Sequence, residues 1–180
     1  MILNRQRTVR VARPPLELFL RRVREQLGLG TADVAICLVS DAEIAHMNET
    51  FRKKQGPTDV LSFPAVTRRK PVPLPTNRNG HVAAAFRGGR LSAVSAARKV
   101  HRHILHEGTA SPPEADFIGD IAISPATARR NAKKNNRTLP SELQILILHG
   151  VLHLLGYDHE TDRGQMTRIE NRLRRKLGLS

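Results

Sequence analysis

The sequence predicts an α/β protein, a small four-stranded sheet packed on about five helices. Three observations point to it. Runs of strand length alternate along the chain with stretches of helical period. One of those stretches, E-L-Q-I-L-I-L-H-G-V-L-H-L-L, is apolar nearly all round and belongs at a buried centre. A chain of 180 residues is long enough for one domain with its own core, and residues 1–180 are read as one.

The first strand is expected over residues 2 to 11, where R-T-V-R-V alternates. Pro14 and Pro15 open a helix that runs to about Gly28 and places Leu16, Phe19, Leu20, Val23 and Leu27 on one face. Val34 to Val39 is a continuous apolar run, the mark of a central strand covered on both sides. Ser40 or Asp41 caps a short helix carrying Ile44, Met47, Asn48 and Phe51. A basic loop over residues 52 to 58 leads into a strand from Asp59 to Phe63, ended by Pro64. Residues 65 to 117 change character: Pro71, Pro73 and Pro75 alternate, N-R-N-G suggests a turn, and Leu91 to Leu105 has helical spacing. The segment contains four of the eight histidines and reads as a basic insertion on the α/β body. Ile118 to Ser124 is the fourth strand, Pro125 starts a basic helix, and Pro140 with Ser141 opens the apolar one. Gly156 ends that helix with a left-handed turn. The last helix is expected from about Asp162 to Leu177, with Met166, Ile169, Leu173 and Leu177 facing inward.

Composition narrows the function. With no Trp, one Tyr and five Phe, the core must be built from Leu, Ile, Val and Ala. The single Cys37, inside V-A-I-C-L-V, is a buried small hydrophobe, and no disulfide framework exists. No stretch approaches the roughly 20 apolar residues of a membrane span, and the first residues lack an apolar leader, so a soluble cytoplasmic protein is expected. Thirty Lys and Arg against sixteen Asp and Glu give a formal charge of +14, which attracts polyanions, and RNA is the abundant one in the cytosol. Few aromatics means a grip made mostly of phosphate contacts, with little sequence preference.

The chemistry concentrates in H-G-V-L-H-L-L-G-Y-D-H, residues 149 to 159. His149 and His153 stand one helical turn apart on the same face, and His159 follows the Gly156 turn. Two lone histidines on a buried apolar helix would need partners. With a third at turn spacing, the pattern is that of a zinc site with one open position, which a catalytic metal needs. The spacing equals that of H-E-x-x-H-x-x-G-x-x-H zinc peptidases, but their general-base Glu is replaced here by Gly150, which cannot take a proton. A peptidase is therefore the weaker reading. The zinc would act on its bound water directly, or Asp158 or Glu160 would accept the proton. Asp158 is either an orienting partner of a ligand or a turn-forming residue.

These eleven residues resemble the signature of the YbeY family, bacterial zinc-dependent endoribonucleases of rRNA maturation. M-N-E-T-F-R-K-K-Q-G-P-T-D-V-L-S-F-P at 47 to 64 and G-D-I-A-I-S at 119 to 124 look like two further family blocks, in the same order. The resemblance covers about residues 30 to 64 and 118 to 177. It implies a mixed sheet, with the zinc site at the end of the central helix. It implies one zinc ion held by His149, His153 and His159, and Arg52 in the active cleft, acting with His149 in catalysis. A guanidinium there can hold a phosphate bidentately. It also implies single-stranded RNA and rRNA precursors as substrates, 3′-end maturation of small-subunit rRNA, a part in ribosome quality control, and small-subunit assembly proteins and the GTPase Era as partners. A ribosome-assembly factor with a purely structural zinc is the other class the sequence allows. Two departures from the family pattern stand out. Phe51 replaces a Tyr, and residues 65 to 117 replace a short link. His101, His103 and His106 in that insertion are read as exposed histidines rather than as a second metal site.

Overall fold

Ile2–Asn4 (β1), Asp33–Leu38 (β2), Val60–Pro64 (β3) and Phe117–Ile123 (β4) form one sheet in the order β1-β2-β4-β3. In this computed structural model, residues 1–65 and 117–179 are described. The first three strands of that order run parallel, and β3 closes the sheet antiparallel to β4, so the sheet is mixed. Among the described residues five α-helices accompany it: Arg13–Leu27 (α1), Asp41–Met47 (α2), Pro125–Lys134 (α3), Leu139–Leu154 (α4) and Gln165–Leu177 (α5). The insertion expected at 65 to 117, its helix and His101, His103 and His106 lie outside the described residues apart from Ala65 and Phe117.

The continuous apolar run of β2 is explained by burial on both faces. Val34, Ile36 and Leu38 point into a large core with Ile121 and Ile123 of β4. That core is filled by Leu16, Phe19, Leu20 and Val23 of α1, by most of α4, and by Met166, Leu173 and Leu177 of α5. Cys37 points to the opposite face, into a small cluster with Val39, Ile44, Met47, Leu61 and Ala122. The two faces are therefore unequal: among the described residues four helices contribute to one core, α3 through Ala128, and α2 to the other.

Local chemistry sets the helix ends. Gly28, at φ 64°, terminates α1. Ser40 and Glu43 form a reciprocal capping box at the start of α2. Thr138 Oγ1 accepts from the Ser141 N–H and caps α4, whose first turn carries Pro140. At the other end of α4, Gly156 has φ 89°, and the Leu152 and His153 carbonyls accept from the N–H groups of Tyr157 and Gly156.

Three expectations are corrected. The first strand covers Ile2–Asn4 and does not reach residue 11. The N–H groups of Arg5 and Gln6 both reach Leu38 O, and the buried Gln6 amide closes a loop by accepting from Val9 N and donating to Val9 O. Val9 is buried, so the alternation reflected burial in a loop rather than pairing in a sheet. The helix carrying residues 44 to 51 changes pitch after Met47: Asn48–Arg52 forms a π-helical turn, closed by Lys53 at φ 57°. The last helix begins at Gln165 rather than Asp162, because the Asp162 carboxylate stays outside and accepts from the N–H groups of Gly164, Gln165 and Met166.

Candidate metal centre

α4 is the element that positions the site, and its placement depends on Gly150. A Cβ at that position would meet Ile121 Cδ1 at 2.9 Å, Ile121 Cγ2 at 3.0 Å and Ser62 Oγ at 3.2 Å. The helix lies directly against β4 and β3, and the Ser62 hydroxyl donates to the Gly150 carbonyl at 3.3 Å. Residue 150 thus faces the sheet. The missing peptidase glutamate is more than a lost base: a side chain there would have to displace Ile121.

His149 and His153 sit on the last turns of α4, half-buried, and His159 lies in the exposed turn after Gly156. The ring centroids are 4.7 Å apart for His149 and His153, and each lies 5.3 Å from that of His159. The Nε2 atoms of His149 and His153 face one another at 3.1 Å, and one nitrogen from each of the three rings lies within 4.8 Å of the others. Two nitrogens bound at about 2.0–2.1 Å to a tetrahedral zinc stand roughly 3.3 Å apart, so small ring rotations bring this set onto one ion. Among the described residues this is the group of three or more metal-ligating side chains that converges. An all-imidazole set of three leaves a fourth position open and suits zinc.

The electrostatics favour an unprotonated His153. Burial, then the like charges of His149 and His159, push His153 down to about 4, so it is neutral at pH 7 and keeps a lone pair for a cation. Cys37 is excluded as a ligand. It lies in the cluster on the other face of the sheet, and burial pushes its thiol up to about 12.

Arg52 ends the π-helical turn, 42% exposed, with Nη2 3.1 Å from Oε1 of Glu160. Glu160 follows His159 directly, so this ion pair brings the arginine from 108 positions away in sequence to the border of the histidine cluster. The turn itself is anchored by buried Asn48, whose Nδ2 donates to Gly56 O at 3.0 Å. Beside Arg52, Phe51 is 42% exposed and packs edge-on to Phe63 with centroids 5.2 Å apart. Asp158 takes the turn-forming role: its carboxylate accepts from the Glu160 N–H and the Thr161 hydroxyl. The backbone N–H of Glu160 holds it below the usual carboxylate range.

One contact was not foreseen. His149 Nδ1 lies 3.0 Å from Oε2 of Glu170 on α5, and Arg174, one turn further on, approaches the same carboxylate at 3.6 Å. Burial pushes Glu170 up, but the His149 hydrogen bond and the charges of His149 and Arg174 more than offset this, and its carboxyl lies below the usual range. A signal was present in the sequence: Glu170 occupies the inward stripe that runs through Met166, Leu173 and Leu177.

Comparison with known proteins shows the family. The family model described as Endoribonuclease YbeY matches residues 2–178. A protein named Endoribonuclease YbeY from Solibacter usitatus is 36% identical over 167 residues, covering 93% of this chain and 80% of its own. Its namesake from Koribacter versatilis is 34% identical over 179 residues, covering 99% of this chain and 86% of its own. The solution structure of TM1509 from Thermotoga maritima shares the fold, with a TM-score of 0.52 at 23% identity, over 98% of this chain and 89% of that one. With nearly the whole chain matched, and the histidine signature at the end of the central helix, the protein belongs to the endoribonuclease YbeY family.

Proposed function

We propose that this protein is a zinc-dependent endoribonuclease that cuts single-stranded RNA and acts in the cytoplasm on rRNA precursors. Its family membership and the convergence of His149, His153 and His159 beside Arg52 support this reading. Residues 1–180 act as one catalytic domain, to which the basic segment at about 65 to 117 is an addition. The small ribosomal subunit, its assembly proteins and the GTPase Era are the proposed partners, and 3′-end maturation of small-subunit rRNA and ribosome quality control the proposed processes. Among the described residues no helix is long and apolar enough to cross a membrane.

Each side chain has a physical task. The three imidazoles hold the zinc, which when bound polarises a phosphate oxygen or acidifies a water. Arg52 takes the scissile phosphate on its planar fork and offsets the charge that grows on the phosphoryl oxygens. To do so it must leave Glu160. That exchange costs little, because a solvent-exposed ion pair contributes about 0–1 kcal/mol. The excess of Lys and Arg, formally +14, attracts the strand without reading its sequence.

The test is cleavage of an unstructured RNA by the zinc-loaded protein, with casein as a parallel substrate. RNA cleavage that stops with chelator and returns with zinc is expected, with casein left intact. Casein cleavage with intact RNA would favour the peptidase. Absence of cleavage in every preparation, with binding to RNA retained, would leave an assembly factor with a structural metal.

A further inference from the structure

Most of the inward stripe of α5 is apolar: Met166, Leu173 and Leu177 are buried in the main core. Glu170 lies on the same stripe with its side chain only 14% exposed. A carboxylate at a core position needs a partner that compensates its desolvation. It has two, His149 Nδ1 at 3.0 Å and Arg174 Nη1 at 3.6 Å. The contact falls on the ring nitrogen of His149 that faces away from the other ligands, since its Nε2 is the atom turned toward His153.

We propose that Glu170 is a positioning residue for the metal centre, acting through His149, with Arg174 holding the carboxylate in place. An imidazole that donates Nδ1–H to a carboxylate must present Nε2 as a lone pair, so the contact selects one of two tautomers. It also fixes the ring's rotation, because Nε2 points at the ion only while Nδ1 points at Glu170. The hydrogen bond is charge-assisted and partly shielded from water, which strengthens it and makes the imidazole a better donor to a cation. Arg174, one helical turn from Glu170 and 19% exposed, keeps the carboxylate from turning toward solvent. The C-terminal helix thereby contributes to a site whose ligands all lie on α4 and the turn after it.

The inference rests on the metal reading above, and two measurements separate their failures. Zinc dissociation constants are measured by competition with a chromophoric chelator for the wild-type protein, Glu170→Ala and Glu170→Gln. Outer partners of metal-bound histidines contribute about 10–100-fold in affinity, and Glu170→Ala is expected to weaken zinc binding by that factor. Glu170→Gln retains an acceptor without the charge, and its loss should be smaller. In the metal-free protein, histidine 15N chemical shifts should report His149 as the Nδ1–H tautomer in wild type and Glu170→Gln, and mainly as Nε2–H in Glu170→Ala. A role confined to holding the helix would lower the melting temperature while leaving zinc affinity and tautomer alone. Wild-type zinc affinity in Glu170→Ala, or in Glu170→Gln should the alanine variant not fold, overturns the proposal, as does an Nε2–H tautomer in wild type. A wild-type protein that binds no zinc sinks the metal reading instead, while the tautomer measurement still decides whether Glu170 orients His149.

Discussion

The two halves of the site are built by opposite means. His149 and His153 stand on a buried helix pressed so closely on the sheet that residue 150 has no room for a Cβ. Arg52 stands on a π-helical turn whose residues from Glu49 to Arg52 are exposed, held to the histidines by one solvent-facing ion pair. A metal site needs its ligands pre-set, because each ångström of disorder is lost affinity. A group that receives a mobile strand gains from being able to move. The difference teaches that the fold sets His149 and His153 on its buried core and leaves Arg52 on an exposed turn beside them.

The largest break in that comparison should come from Gly150→Glu, which restores the peptidase spacing but drives a carboxylate against Ile121. An uncompensated buried charge costs about 3–5 kcal/mol, so urea denaturation should show a loss of that size or a failure to fold, with no casein cleavage gained. Full stability in this variant would mean that α4 does not lie on the sheet as described.

The halves should separate cleanly under His153→Ala and Arg52→Ala. Loss of a direct ligand should weaken zinc binding by more than the about 100-fold that an outer partner contributes, and RNA cleavage should go with it. Arg52→Ala should lower the rate of RNA cleavage by about 10²–10³-fold, the size expected for removing a group that offsets transition-state charge. Its zinc affinity should be that of the wild type and its stability should change by no more than about 0.5 kcal/mol. Equal cleavage rates for Arg52→Ala and wild type would remove the arginine from catalysis. Joint loss of zinc and cleavage would show that the two halves are not independent.

The smallest expected effect lies in the scaffold under the arginine half. Asp41, at the start of α2, accepts from Ser124, from Thr127 Oγ1 at 2.8 Å and from Arg130 Nη2 at 2.8 Å, tying the helix before the π-helical turn to α3. Burial pushes its carboxyl up, but those hydrogen bonds outweigh it and its pKa is lowered. A depressed carboxylate contributes stability that is present above its unfolded pKa of about 3.9 and is lost as pH falls through the folded value. Asp41→Asn should therefore destabilise the protein at pH 7 by about 1 kcal/mol, at the low end because the group is a third exposed. The gap to wild type should close as pH falls below about 4. Denaturation at several pH values tests this, and a gap unchanged at low pH would mean the contacts do not depend on the charge.

Much of this protein was legible because the relevant information is local. The α/β class, the continuous apolar run of β2, the proline-started α1 and an α4 that is apolar nearly all round follow from period and punctuation over a few residues. His149, His153 and His159 span only eleven residues, so helical geometry and one glycine turn suffice to bring them together. Where local signals misled, a side chain intervened: Gln6 closed a loop where alternation suggested a strand, and Asp162 capped from outside the helix it seemed to begin. Asp158 and Glu160, adjacent to His159, were candidate proton acceptors by proximity. In the fold Asp158 also shapes the turn and Glu160 also pairs with Arg52.

By itself the sequence determined the fold class, the histidine cluster and a charge suited to a polyanion, because composition, periodicity and short spacing already contain them. Only the tertiary structure decided which side chains border the histidine cluster. The pairing of Arg52 with Glu160 spans 108 positions and that of His149 with Glu170 spans 21, and each joins separate elements whose docking depends on the whole core. The meaning of Gly150 was decided there too. In the sequence it is an absent base, and in the fold it is the contact that lets the histidine-bearing helix rest on the sheet, because no local pattern records how closely two surfaces approach.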